Sequence, residues 1–126
     1  MKLIETLLLL NFCHLLGDFT HLSTNWMLNA KRLGKPLFPI LIHAYVHATL
    51  FFFAVWFIQD IYMAVIAFAI QAPTHFLIDV LKGRMNGWFP KLQSPTNKWH
   101  WVIFGCDQNL HQIVIIFTAY ITCLYN

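Results

Sequence analysis

Four apolar stretches divide the chain, and each is long enough to form a membrane helix. They cover residues 3–19, 37–58, 61–81 and 99–124. Because about 20 helical residues cross the roughly 30 Å core of a bilayer, four spans would use most of the 126 residues. Only 10% of the residues are charged, against about 25% in average soluble domains. The sequence therefore predicts a single all-α domain, residues 1–126, built as a four-helix transmembrane bundle.

The basic residues predict an orientation for this bundle. Two loops hold most of them: Lys31, Arg32 and Lys35 in the first, and Lys82, Arg84, Lys91 and Lys98 in the second. Four spans put these loops on one side, which the positive-inside rule makes the cytoplasm, with both termini and the short Gln59–Asp60 turn outside. The net charge of +3 forms no basic stripe, so we expect no nucleic-acid partner. The apolar outer surface suits the lipid bilayer and equally suits a homodimer.

Each apolar segment also carries two residues of the kind that bind divalent metals. The pairs are His14 with Asp18, His43 with His47, His75 with Asp79, and Asp107 with His111. Residues four apart lie on the same face of a helix, one turn from each other. At 1.5 Å of rise per residue, all four pairs fall in the cytoplasmic half of the bilayer, within roughly 10 Å of one level. The sequence therefore predicts that they meet inside the bundle.

Two interpretations of these pairs compete. Any single pair could be interhelical hydrogen bonding, but an Asp inside a membrane costs about 2.5 to 3.5 kcal/mol on insertion scales and tends to mark a function. Four pairs at one depth favour a metal site. The ligands are too many for one tetrahedral zinc and suit two divalent ions, with zinc, iron(II) and manganese all compatible. We assign the bridging or general-base role to Asp79 or Asp107.

Several polar residues near the pairs have less certain roles. Lys82 could hold a phosphate or lipid headgroup, or it could be a cytoplasmic anchor. His21 extends the stripe of His14 and Asp18, as a ligand or as an entrance group, whereas His100 between two tryptophans is best interpreted as interfacial. Gln71, Gln108 and Gln112 could orient the imidazoles from outside the ligand shell.

The motifs resemble those of a known family. They are His14-Leu-Leu-Gly-Asp18-Phe19, the histidine-rich second segment, His75-xxx-Asp79-xx-Lys82 and Asp107-Gln108-xx-His111. This signature resembles that of small bacterial membrane proteins of unknown function, which are similar to membrane-bound metal-dependent hydrolases. The resemblance implies a protein of the bacterial inner membrane with hydrolase activity. One departure is Thr20-His21-Leu22, where the family often has a Gln.

Three functions are compatible with this pattern. The first is a metal-dependent hydrolase that acts on a lipid-linked or phosphoester substrate from the cytoplasmic side. The alternative is a carrier of metal ions or protons without hydrolytic turnover. The apolar outer halves of the spans, such as Leu7–Leu10 and Ile113–Phe117, disfavour a continuous polar path. A haem site ranks last because haem has no use for the neighbouring carboxylates.

Overall fold

The structure is a computed structural model that describes residues 2–125, and all of its regular secondary structure over that range is helical. The helices are α1 (Lys2–Phe19), α2 (Asn25–Leu33), α3 (Leu37–Ile58), α4 (Ile61–Trp88) and α5 (Lys98–Leu124), with a 3₁₀ turn at Pro90–Gln93. The prediction of an all-α chain is confirmed.

Three of the helices, α3, α4 and α5, are long and apolar enough to cross a membrane. This finding indicates a membrane protein. Helix α1 is also 18 residues long, but it carries Lys2, Glu5 and Asp18 and is not among the three. Its assignment as a fourth span therefore stays a prediction.

The four long helices pack in a ring. Helices α1 and α4 each contact both α3 and α5, while the short α2 packs against α3 and α4. Only Gln59 and Asp60 join α3 to α4, as the sequence predicts. Asp60 caps α4, since its carboxylate accepts hydrogen bonds from the backbone N–H groups of Tyr62 (2.8 Å) and Met63 (3.0 Å). This cap satisfies donors that a helix start otherwise leaves free.

Helix α2 is a separate amphipathic element and no continuation of α1. The Thr24 hydroxyl caps its start by accepting from the Met27 N–H, 3.4 Å away. Gly34 ends it with a φ of 65°, a left-handed conformation that glycine adopts without strain. Met27 and Ala30 are its buried residues. The helix therefore lies across the end of the bundle with one face on α3 and α4.

Helix α4 is longer than the predicted segment, because it continues through Lys82 to Trp88. Gly83 and Gly87 in this stretch favour a loop, since a glycine costs a helix about 1 kcal/mol relative to alanine. At Gly83 a Cβ would collide with the backbone of Gly34 and Lys31. The close packing of α2 on α4 requires a glycine here, and this packing outweighs the low helix propensity.

The middle of the bundle is an apolar layer. Its fully buried residues include Leu10, Phe51, Val55 and Ile115. Beyond this layer, near the α3–α4 turn, Gln59 Nε2 lies within hydrogen-bond distance of Thr6 Oγ1 (3.2 Å), Thr122 Oγ1 (3.4 Å) and Cys123 Sγ (3.3 Å). We call these four residues the Gln59 cluster. The predicted metal-ligand pairs lie on the other side of the apolar layer.

Candidate metal centre

The structure brings all eight predicted ligands together. Helices α1, α3, α4 and α5 contribute two each: His14, Asp18, His43, His47, His75, Asp79, Asp107 and His111. We call this set the histidine–aspartate cluster. Seven of the side chains are buried, and that of the eighth, Asp18, is only 6% exposed. The four-residue spacing turns each pair inward, and the ring of helices makes the pairs meet.

Within each helix the two ligands of a pair lie side by side. The distances are 3.3 Å for His14 Nε2 to Asp18 Oδ2, 3.3 Å for His75 Nε2 to Asp79 Oδ2 and 3.6 Å for His111 Nε2 to Asp107 Oδ1. The ring centroids of His43 and His47 are 4.7 Å apart.

Asp18 connects α1 to both histidines of α3. Its Oδ1 lies 2.9 Å from His43 Nε2 and 3.2 Å from His47 Nε2. Gly17 makes this approach possible, because a Cβ at Gly17 would collide with the His47 imidazole. Small residues let helices approach closely in membranes, and here the small residue admits a ligand side chain.

Asp79 lies at the centre of the cluster. Its Oδ1 faces α5, 3.6 Å from His111 Nε2, while its Oδ2 faces α3, 3.7 Å from His43 Nε2. The rings of His47 and His75 stack beside it, with centroids 3.8 Å apart. A carboxylate whose two oxygens face different ligand sets has the geometry that bridging requires, and the bridging role of Asp79 stays a prediction.

The donor set fits a divalent metal. Three overlapping groups have ligand atoms within 4.8 Å of one another: Asp18, His43, His47 and His75; His14, His75 and His111; and Asp79, Asp107 and His111. Several of these atoms have no hydrogen-bond partner among residues 2–125: both ring nitrogens of His14, Nδ1 of His43 and His47, Nε2 of His75 and His111, both Asp79 oxygens and Asp107 Oδ1. Since buried polar atoms are nearly always partnered, a bound metal ion would account for this concentration. The cluster could hold a metal ion.

Lys31 of α2 is the one charged side chain in the cluster that the sequence did not assign to it. Its Nζ lies 3.0 Å from Asp18 Oδ1, 3.3 Å from Asp79 Oδ2 and 3.0 Å from His43 Nε2. Burial would lower the pKa of this ammonium, but the carboxylates of Asp79 and Asp18 outweigh burial and raise the pKa. The two carboxylates therefore favour the charged form of Lys31. Its only sequence signal is its place near the end of a short amphipathic helix.

Lys82 and two glutamines surround the ligands. Lys82 Nζ donates to Asp107 Oδ2 at 3.0 Å, and Gln108 Nε2 donates to the same oxygen at 3.1 Å. Gln71 Nε2 lies 3.2 Å from His75 Nδ1, where it could orient the ring as predicted. Gln112 makes no side-chain hydrogen bond among the described residues.

The match to a protein family covers almost the whole sequence. Residues 4–126 match the family described as protein of unknown function (DUF3307). The chain belongs to this family. The predicted membership in an uncharacterised family is confirmed, while the resemblance to hydrolases stays a prediction. Comparison with curated proteins and with solved structures found no match.

Two histidines of this DUF3307 member lie outside the cluster. His21 is exposed in the turn after α1 and belongs to none of the three ligand groups. His100 donates from Nδ1 to the Leu92 carbonyl at 2.6 Å and packs edge-on against Trp101. Neither side chain contributes to the candidate metal centre, although His100 lines the cavity beside it.

A cavity of about 250 Å³ leads to the cluster between the ends of α1, α2, α4 and α5. Its charged lining consists of three carboxylates and three basic side chains: Asp18, Asp79, Asp107, Lys31, Arg32 and Lys82. Its apolar lining consists of Phe19, Leu28, Ile103 and Phe104. In this DUF3307 member the cavity therefore combines metal-ligand oxygens, cationic groups and an apolar wall.

Proposed function

We propose that the protein is a metal-dependent hydrolase of the bacterial inner membrane that acts on a lipid-linked or phosphoester substrate. The cavity is the observation that carries this proposal, because it brings three candidate ligand carboxylates into contact with basic and apolar surface at once. In the proposed arrangement α1, α3, α4 and α5 form a four-helix transmembrane bundle with both termini on the side of the membrane away from the cytoplasm.

The cavity lies at the end of the bundle that holds α2 and the end of α4. Lys31, Arg32 and Lys82 all line it, so the positive-inside rule puts it at the cytoplasmic face. Phe19 and Leu28, which are 60% and 44% exposed, would lie at the level of the lipid. An amphiphile with an anionic headgroup suits both kinds of wall.

Two divalent ions, of zinc, iron or manganese, are the proposed cofactors. Such ions polarise a phosphoryl oxygen and lower the pKa of a coordinated water from about 16 towards 7. The five imidazoles and three carboxylates of the histidine–aspartate cluster would hold them. In this proposal Asp79 would act as the bridging ligand, Asp107 would accept the proton of the attacking water, and Lys82 would neutralise an anionic headgroup at the cavity mouth.

The apolar middle layer argues for hydrolysis over transport. Leu10, Phe51, Val55 and Ile115 are each 0% exposed and separate the histidine–aspartate cluster from the Gln59 cluster along the helices. A carrier of metal ions or protons needs polar partners along its whole path. The layer interrupts any such path within one chain, so we favour the hydrolase over the carrier.

Reconstituted protein tests the proposal directly. The purified chain in nanodiscs would be supplied with Zn²⁺, Mn²⁺ or Fe²⁺ and with phospholipids that have monoester or diphosphate headgroups, and phosphate release would be measured. We expect metal-dependent release that Asp79→Asn abolishes. Asp60→Asn is the matched control, since it removes the same charge at the α3–α4 turn and leaves a residue that can still cap α4.

The same preparation in sealed liposomes distinguishes the alternative. Metal or proton flux without phosphate release from any of these lipids would contradict the hydrolase proposal and favour the carrier. Phosphate release without flux would support the hydrolase.

A further inference from the structure

Lys31 is surrounded by ligand atoms of the histidine–aspartate cluster. Lys31 Nζ lies at hydrogen-bond distance from Asp18 Oδ1 and His43 Nε2, both at 3.0 Å. It also forms an ion pair with Asp79 Oδ2 at 3.3 Å. His43 Nε2 and Asp18 Oδ1 are also only 2.9 Å apart. The single ammonium of Lys31 therefore contacts all three of these ligand atoms.

A metal ion bound by these atoms would need the same position. Imidazole nitrogens and carboxylate oxygens bind zinc at about 2.0 to 2.2 Å. An ion that contacted Asp18 Oδ1, His43 Nε2 and Asp79 Oδ2 at those distances would overlap the Lys31 ammonium. Lys31 and a metal ion therefore exclude each other from this position.

Two of the three ligand groups define a second position, which Lys31 does not occupy. They are His14 with His75 and His111, and Asp79 with Asp107 and His111. Both contain His111, and neither includes Asp18 or His43. Asp79 connects the two positions, because its Oδ2 faces Lys31 while its Oδ1 faces His111. A first ion beside His111 can bind while Lys31 stays in place.

Charge adds to the exclusion. With neutral imidazoles, the three carboxylates of the cavity lining and its three basic side chains, Lys31, Arg32 and Lys82, balance to a net charge of zero. One divalent ion brings this to plus two, whereas two ions would bring it to plus four. Since unbalanced charge is costly where water is excluded, a second ion favours withdrawal of Lys31.

Helix α2, which carries this side chain, is a short element separate from the four long helices. It packs on α4 through the Gly34–Gly83 contact, where only glycine fits, and its apolar contribution to the interior is small, mainly Met27 and Ala30. Residues 20–24 and 34–36 connect it to its neighbours and lie outside the helices. Movement of α2 would withdraw Lys31 and leave the four long helices in place.

We propose that Lys31 is a built-in competitor for the second metal ion. Its ammonium holds the Asp18–His43–Asp79 position, and a second divalent ion binds there only when α2 draws Lys31 out into the cavity. This inference rests on the proposed metal site and adds a control of its occupancy.

Zinc titration of chelator-treated protein in nanodiscs tests the competition. In wild-type protein the second equivalent should bind more weakly than the first. Lys31→Met keeps the length and helix propensity of the side chain but removes its charge. It should tighten the second site by roughly 10- to 100-fold, because a charge-assisted hydrogen bond to a carboxylate no longer has to be broken. The first site should change little.

Lys35→Met is the matched control. It makes the same substitution two residues after α2 ends, at an exposed position that does not line the cavity. The proposed competition is contradicted if Lys31→Met leaves the zinc affinity of the second site unchanged or lowers it. It is also contradicted if Lys35→Met raises that affinity equally.

Amine labelling of wild-type protein gives a readout that needs no variant. Reaction of Lys31 with a small acylating reagent, quantified by mass spectrometry, should rise on addition of the second zinc equivalent and not of the first. Lys35 should react equally throughout. Constant labelling of Lys31 despite two bound ions would overturn the inference and leave the metal site intact. Absence of bound zinc in every variant would instead contradict the proposed function.

Discussion

The two buried polar regions of the bundle differ in how their groups are satisfied. In the Gln59 cluster, uncharged side chains from α1 and α5 contact the amide of Gln59 in the α3–α4 turn. Gln59 Oε1 is its one buried oxygen without a partner among the described residues. The histidine–aspartate cluster holds three carboxylates and five imidazoles, and many of their atoms have no partner within residues 2–125.

This difference separates polar groups that hold helices together from polar groups that could hold a metal ion. Interhelical hydrogen bonds in membranes contribute about 0.6 kcal/mol on average, which the Gln59 cluster can supply without charge. Buried carboxylates are far more costly unless they are paired or bind metal. Lys31 and Lys82 pair with some of them, and a metal ion would satisfy the rest.

The largest effect is expected for Asp79→Asn. Asp79 is 1% exposed and faces ligands on α3, α4 and α5, so its loss should weaken metal binding by more than the roughly 10- to 100-fold that loss of an outer-shell partner costs. Metal content after purification, measured by mass spectrometry, is the readout. Asp60→Asn should retain its metal. Equal retention by both variants would show that Asp79 is not a metal ligand.

A smaller effect is expected for Gly17→Ala. The new methyl group would collide with the His47 ring, and overpacking of this kind typically costs about 1 to 3 kcal/mol of unfolding free energy. Gly105→Ala on α5 is the matched control, because a Cβ there meets nothing within 4 Å. We expect weaker metal binding and lower stability in Gly17→Ala alone. Equal behaviour of the two variants in denaturation and metal titration would contradict the close approach of α1 and α3.

Gln71→Leu should weaken metal binding by about tenfold, at the lower end of the range for outer-shell partners. The change removes the contact of Gln71 Nε2 with His75 Nδ1 at 3.2 Å and keeps the side-chain volume similar. Gln112→Leu is the comparison, since Gln112 has no side-chain hydrogen bond among the described residues. Competition with a fluorescent zinc chelator measures both affinities, and an equal loss in the two would argue against a specific role of Gln71.

The smallest effect is expected for Gln59→Leu. It removes the contacts to Thr6 and Thr122 and should lower the unfolding free energy by about 0.6 kcal/mol with unchanged metal content. Equilibrium unfolding in mixed detergent micelles measures the first quantity. A loss of metal in this variant would show that the two polar regions are coupled and would break the distinction between them.

The sequence predicts the histidine–aspartate cluster better than its surroundings. A four-residue spacing fixes which side chains share a helical face, so the eight ligands could be named from local pattern alone. Lys31 could not, because its position depends on how α2 docks on α4. That docking depends on the contact between Gly34 and Gly83, which are distant in sequence. The same contact explains why α4 continues through a stretch whose glycines favour a loop.

X-ray absorption spectroscopy of bound metal would show whether the histidine–aspartate cluster holds the ion. For zinc we predict a first shell of nitrogen and oxygen at about 2.0 to 2.2 Å with the outer scattering of several imidazoles, and a metal–metal distance of about 3.5 to 4 Å when two ions are bound. Both signals should disappear in Asp79→Asn. A first shell that contains sulfur, or a spectrum that Asp79→Asn leaves unchanged, would show that the metal binds outside the histidine–aspartate cluster.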